Sequence, residues 1–122
     1  MKAWNNKAAT VQLLGRYQPW HPGHTELFKR AHAKTGQVAI MVRDTGNTDD
    51  KNPFDFITVK NWIVEALSKE GFMHQSDYQV IEVPNIVNIT YGRDVGYTIE
   101  KEDFDEEILN ISATQIRKEM GL

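Results

Sequence analysis

The chain contains no cysteine. This absence excludes disulfide bonds, a cysteine nucleophile and thiolate metal sites. No apolar run is long enough to cross a membrane, and the first nine residues lack the apolar stretch of a signal peptide. The formal net charge of −3 provides no general attraction to nucleic acid or to an anionic membrane. We therefore expect a cytoplasmic protein that binds neither nucleic acid nor membrane.

The overall amino-acid composition is typical of a globular protein. The 122 residues are 40% hydrophobic and 25% charged, which is ordinary for a folded domain of this size. The sequence has no internal repeat and no low-complexity linker. We therefore expect a single domain that spans residues 1–122.

Apolar runs alternate with helical periodicity along the chain. Strands are predicted at residues 8–14, 38–42, 78–83, 86–91 and 97–100. Helices are predicted from Pro22 to about Lys34, from a cap at Asn52 with Pro53 first in the helix to near Gly71, and at the end of the chain from residue 111. The predicted buried faces of the first two helices comprise Leu27, Phe28 and Ala31, and then Phe56, Val59, Ile63, Ala66 and Leu67.

This order of elements predicts an α/β fold. Early strand–helix–strand alternation with apolar strands is typical of a mainly parallel sheet joined by right-handed crossovers, here a Rossmann-like three-layer sandwich. Ligands of such folds bind at the carboxyl ends of the strands. Residues 15–24, Arg43 and the start of the last helix should meet at that edge, and Arg16 and Arg43 there are candidates for binding phosphate or an acceptor anion.

The segment Gly-Arg-Tyr-Gln-Pro-Trp-His-Pro-Gly-His, residues 15–24, carries the strongest functional signal. It follows a predicted strand and opens a helix, whose free N–H groups and partial positive charge attract phosphate. His21 and His24 add two imidazoles within one turn of that helix start. Gly23 lets a ligand approach the backbone, and Gly15 permits a sharp turn out of the strand.

This segment resembles the Gly-x-Phe-x-Pro-x-His-x-Gly-His signature of the nucleotidylyltransferase superfamily, with Tyr17 in the aromatic position. The neighbouring residues look closest to the archaeal-type nicotinamide mononucleotide adenylyltransferase branch. The resemblance implies the fold named after the related His-Ile-Gly-His motif. It also implies transfer of a nucleoside monophosphate from a triphosphate to an anionic acceptor, with His21 and His24 as catalytic residues. Gly15, Arg16, Tyr17 and Gly23 would then belong to the nucleotide site.

A second signature lies near the end of the chain, at Ile-Ser-Ala-Thr-Gln-Ile-Arg, residues 111–117. Ser112 and Gln115 have the spacing of a helix capping box. The segment also resembles the Ile-Ser-x-Thr-x-x-Arg motif of the same superfamily. That resemblance implies that Ser112 and Thr114 contact the β- and γ-phosphates and that Arg117 is a third catalytic residue, which supplies a fixed positive charge.

Two further segments have both a structural and a functional interpretation. Asn-Pro-Phe at residues 52–54 resembles the start of the second helix in the adenylyltransferase branch, but Thr58 and Val59 stand where a Glu-Arg pair usually follows. Arg93 and Asp94 lie between two predicted strands, where they could contact base, ribose or acceptor or simply belong to a turn. The isolated residues His32 and His74 are expected at the surface.

Together these features predict an enzyme that transfers an adenylyl group from ATP to a small acceptor bearing phosphate or sulfate, releasing pyrophosphate. Mg²⁺ is expected to be held mainly by the nucleotide phosphates, without a dedicated protein metal site. Two alternatives stay open: a CTP-dependent cytidylyltransferase, and a nucleotide-binding regulatory module without turnover. A homo-oligomer is also expected, since the short last helix leaves an apolar side to cover.

Overall fold

The computed structural model describes residues 3–44, 53–93, 96, 98–102, 116–118, 120 and 121. Its regular elements are β1 (Val11–Gly15), α1 (Pro22–Thr35), β2 (Val38–Arg43), α2 (Phe56–Lys69) and β3 (Tyr78–Val83). The three strands form one parallel sheet in the order β1-β2-β3. The protein is therefore α/β, and its described part is compatible with a Rossmann-like fold.

Strand register aligns one buried residue from each strand on the same face of the sheet. Leu13 of β1 pairs with Ile40 of β2, and Ile40 pairs in turn with Val80 of β3. All three belong to the buried core, together with residues of both helices: Phe28 and Ala31 of α1, and Val59, Ile63 and Leu67 of α2. Both helices thus pack on the same face, as expected when two right-handed crossovers advance in one direction across a sheet.

The opposite face of the sheet is less buried. It carries Gln12, Leu14, Ala39, Met41, Gln79 and Ile81, all partly or well exposed. Three layers were expected. Within the described residues the structure has two, the sheet and the helices on one of its faces. Over that part of the chain, no helix is long and apolar enough to span a bilayer.

The ends of α1 agree with the sequence prediction. Pro22 occupies the first turn, where the missing N–H has no helical acceptor to lose. Gly36 ends the helix in the left-handed region at φ 79°, and its N–H donates to the carbonyl of His32 at 2.7 Å. His32 itself was expected at the surface, but it is half-buried and its Nε2 lies 2.9 Å from Oδ1 of Asp77.

The predicted start of α2 was wrong. The helix begins at Phe56 with Asp55 as its N-cap, whose Oδ1 accepts a hydrogen bond from the N–H of Thr58 at 2.9 Å. Pro53 therefore precedes the helix, and Asn52 lies outside the described residues. Asp caps a helix as well as Asn does, so the Asn-Pro pair alone could not locate the helix start.

The prediction of a fourth strand at residues 86–91 was also wrong. This stretch is irregular, and the side chains of Val87 and Ile89 are 81% and 65% exposed. Residues 98–100 of the expected fifth strand are not in a strand either, and Tyr97 lies outside the described residues. Alternating β-branched residues favour a strand only when a neighbouring strand and a packed face are present.

Candidate active site

The loop of residues 16–20 carries the chain from the carboxyl end of β1 to the start of α1. Tyr17 has a left-handed backbone conformation, with φ 52°, and its ring is buried. The ring folds back over Gly15, where a Cβ would lie 2.9 Å from two of its carbon atoms. Gly15 is thus required by this close approach, and the first glycine of the motif has a packing role beneath Tyr17.

The two histidines cap α1 with their side chains. His21 is the N-cap residue, and its Nδ1 accepts a hydrogen bond from the N–H of Gly23 at 3.1 Å. Nδ1 of His24 accepts from the N–H of His21, also at 3.1 Å, so the two residues form a reciprocal capping box. The imidazole rings stack with centroids 3.7 Å apart.

This arrangement fixes the tautomer of both rings. Because each Nδ1 accepts a hydrogen bond, it carries a lone pair, and in the neutral ring the proton must sit on Nε2. Nε2–H lies on the far side of each ring from the backbone. The pair therefore presents two N–H donors beside a helix N-terminus whose dipole also favours an anion.

Burial keeps these imidazoles neutral. It lowers the pKa of His24 to about 3, and the neighbouring His21 adds a smaller effect in the same direction. Burial also lowers the pKa of His21 below its usual value. Tyr17 packs edge-on against the ring of His24 at 4.9 Å, and Trp20 lies 5.2 Å from it. These rings shield His24 from water, and the indole N–H of Trp20 is held by Oγ1 of Thr25 at 2.9 Å.

Gln18 attaches this loop to the start of α2. Its side-chain amide donates to the carbonyl of Phe54 at 2.9 Å and accepts from the N–H of Phe54 at 3.0 Å. The motif gave no role to this glutamine, because the position varies within the signature and its partner lies 36 residues away. The Phe54 backbone of the Asn-Pro-Phe segment thus has a structural contact with the first motif.

Arg117 reaches the same loop from the end of the chain. Residues 116–118 are helical, and Nη1 of Arg117 donates to the backbone carbonyl of Gln18. This contact spans 99 residues and brings the arginine of the second signature to the loop of the first. The loop carbonyl thus orients a half-buried guanidinium beside the first motif.

The remaining predicted site residues fall into two groups. Gly23 is buried in the first turn of α1, Arg16 is exposed just after β1, and Arg93 is exposed in the irregular segment after β3. Asp94, Ser112 and Thr114 lie outside the described residues, so their expected contacts stay predictions.

The described residues contain no group of three or more histidine, aspartate or glutamate side chains that could hold a metal ion. An open groove along α2, lined by Lys60, Ser68 and His74 among others, shares no residue with the histidine site.

Comparison with models of known protein families finds no match to this chain, and neither does comparison with curated proteins.

Proposed function

We propose that the protein is a nucleotidylyltransferase that transfers the adenylyl group of ATP to a small anionic acceptor, with pyrophosphate as the second product. The observation that carries this proposal is the pair of imidazoles whose Nδ1 atoms are occupied by backbone N–H groups at the start of α1. The contact of Arg117 with the same loop adds a positive charge to that anion-binding surface. The three-stranded parallel sheet with both helices on one face supports assignment to the fold of this superfamily.

The proposed reaction is a direct in-line displacement at the α-phosphorus. An acceptor oxygen forms the new P–O bond as the bond to the bridging oxygen breaks, and pyrophosphate leaves with that electron pair. His21 holds the α-phosphate, and His24 donates from Nε2 to the bridging oxygen as negative charge accumulates there. Because the pKa of His24 is low, its ring is neutral at neutral pH. It therefore acts as a hydrogen-bond donor and not as a general acid.

Mg²⁺, entering with the triphosphate, would reduce the negative charge of the phosphates. The neutral imidazoles and the chain's N–H donors suit this form of the substrate, since they bind phosphate oxygens without competing for a cation. The role of the protein is then to position the triphosphate and stabilise charge on the leaving group.

Asparagine variants of the two histidines separate structure from chemistry. Asparagine is a favoured helix-capping residue, and its Oδ1 can replace the Nδ1 acceptor, while its short NH2 group does not reach the position of Nε2–H. We expect His21→Asn and His24→Asn each to lower the rate of pyrophosphate release by roughly 10²- to 10³-fold, with little change in the thermal midpoint. His74→Asn, in the groove along α2, is the matched control and should retain wild-type turnover.

The assay follows pyrophosphate with each of the four nucleoside triphosphates and a panel of phosphate- and sulfate-bearing acceptors. ATP should be the preferred nucleotide, and preference for CTP would instead identify a cytidylyltransferase. Nucleotide binding without pyrophosphate release from any pair would identify a regulatory module. Wild-type turnover in both asparagine variants would refute the roles given to the histidines.

A further inference from the structure

Arg43 is a half-buried cation at the edge of the sheet where ligands of this architecture bind. It is the last residue of β2, the middle strand, and its register partner is Val83. Its Nε is fully buried and has no hydrogen-bond acceptor among the described residues. Nη1 donates to the carbonyl of Ile86 over a long 3.4 Å. In the part of the chain that the structure describes, no carboxylate forms an ion pair with Arg43.

A guanidinium with a buried Nε that lacks an acceptor is suited to bind an anion. A buried charge without a partner is costly, and arginine offers five N–H donors in a planar fork that fits a tetrahedral oxyanion. The contact with Ile86 fixes one arm of the fork and leaves Nε to another acceptor. Arg43 also follows the Gly15–Val42 pair directly, so it lies level with the start of the histidine loop.

The face of the sheet on which Arg43 lies distinguishes between the two anions of the proposed reaction, the acceptor and the triphosphate. Val38, Ile40 and Val42 of β2 face the helices, so alternation places Arg43 on the opposite face with Met41. The histidines belong to α1 and approach the same edge from the helix side. In an in-line displacement the attacking oxygen and the leaving pyrophosphate lie on opposite sides of the α-phosphorus.

We propose that Arg43 binds the anionic group of the acceptor, a phosphate monoester or sulfate, on the side of the strand ends opposite the histidines. This inference rests on the proposed function, because it takes the triphosphate to occupy the histidine side. Arg43 is then the residue that selects an oxyanion as the acceptor.

The direct test is an NMR titration of the Arg43 Nε–H signal, assigned by its loss in Arg43→Lys. The probes are inorganic sulfate, glycerol 3-phosphate and the Mg²⁺ complex of a non-hydrolysable ATP analogue, each added alone. We expect sulfate or glycerol 3-phosphate to shift the signal and the ATP analogue to leave it unchanged. A shift with the analogue, or none with either small anion, would overturn the assignment.

Kinetics of the variants supply a second readout. Arg43→Met should raise KM for the acceptor by roughly 10- to 100-fold, the loss expected for charge-assisted hydrogen bonds, with KM for ATP unchanged. Its thermal midpoint should be equal or higher, since an unpartnered buried N–H is removed. A lower midpoint with unchanged KM for the acceptor would make Arg43 structural. Arg30→Met, at an ion pair with Glu26, is the control and should alter neither KM.

These experiments distinguish failure of the Arg43 anion site from failure of the proposed enzyme activity. If the small anions shift the Arg43 signal but no pair of substrates releases pyrophosphate, the anion site stands and the proposed enzyme activity does not. If pyrophosphate is released and Arg43→Met leaves KM for the acceptor unchanged, the activity stands and the role of Arg43 does not.

Discussion

The neutral state of His24 predicts a specific dependence of stability on pH. The folded pKa of about 3 lies below the usual value of 6.5, so between these pH values the unfolded chain binds a proton that the folded chain excludes. Stability from this source is complete above pH 6.5 and is lost as pH falls towards 3. At pH 5 the loss amounts to about 1.5 pH units at about 1.4 kcal/mol each, which is about 2 kcal/mol.

Replacing His24 with asparagine removes this contribution. Urea unfolding at pH 7.5 and pH 5 should show the wild-type protein losing about 2 kcal/mol more than His24→Asn between the two conditions. His21 is present in both proteins, so its own titration largely cancels in the comparison. Equal losses in the two proteins would refute the burial of a neutral imidazole at this position and, with it, the fixed tautomer.

Three further substitutions test how the loop is held. Gly15→Ala places a Cβ against the ring of Tyr17 and should lower stability by about 1–3 kcal/mol in urea unfolding, with a parallel loss of turnover. Gln18→Leu removes both hydrogen bonds to the backbone of Phe54 and should cost about 1–3 kcal/mol in the same measurement. Arg117→Met should weaken ATP binding by roughly tenfold or more in calorimetry, since charge-assisted contacts are lost.

The glycine and glutamine variants each have a control elsewhere in the chain. Gly92→Ala meets open space, and Gln12→Leu changes an exposed side chain on β1, so both should be neutral in urea unfolding. A penalty in Gly92→Ala equal to that of Gly15→Ala would remove the packing explanation. Wild-type stability in Gln18→Leu would show that the link to α2 is not needed. Unchanged ATP affinity in Arg117→Met would separate this arginine from the nucleotide site.

Local signals in the sequence were sufficient for the elements with the clearest boundaries. Pro22 and Gly36 delimit α1 because each residue has backbone constraints that suit one end of a helix. The third strand, Tyr78–Val83, also agrees with its prediction, since its apolar residues form part of the core. The first strand starts three residues later than expected, at Val11, because residues 8–10 precede its pairing with β2.

Features that depend on distant partners could not be predicted in this way. Residues 86–91 have strand-forming side chains, yet within the described residues no neighbouring strand pairs with them. The contact between Gln18 and Phe54 and the one between Arg117 and Gln18 join residues far apart in sequence, and periodicity carries no information about such contacts. The signatures identified Arg117 as a candidate site residue. They did not predict its contact with the loop, nor that Nε of Arg43 would be buried without an acceptor in the described part of the chain.

The most direct test of the histidine site is a long-range ¹H–¹⁵N NMR spectrum of His21 and His24 across pH 5 to 8, with and without Mg²⁺ and a non-hydrolysable ATP analogue. For His24 we predict a neutral ring with the proton on Nε2 throughout this range. For both residues we predict that Nε2–H shifts when the analogue binds. A proton on Nδ1, protonation of His24 near pH 6, or signals indifferent to the analogue would contradict the roles proposed for these histidines.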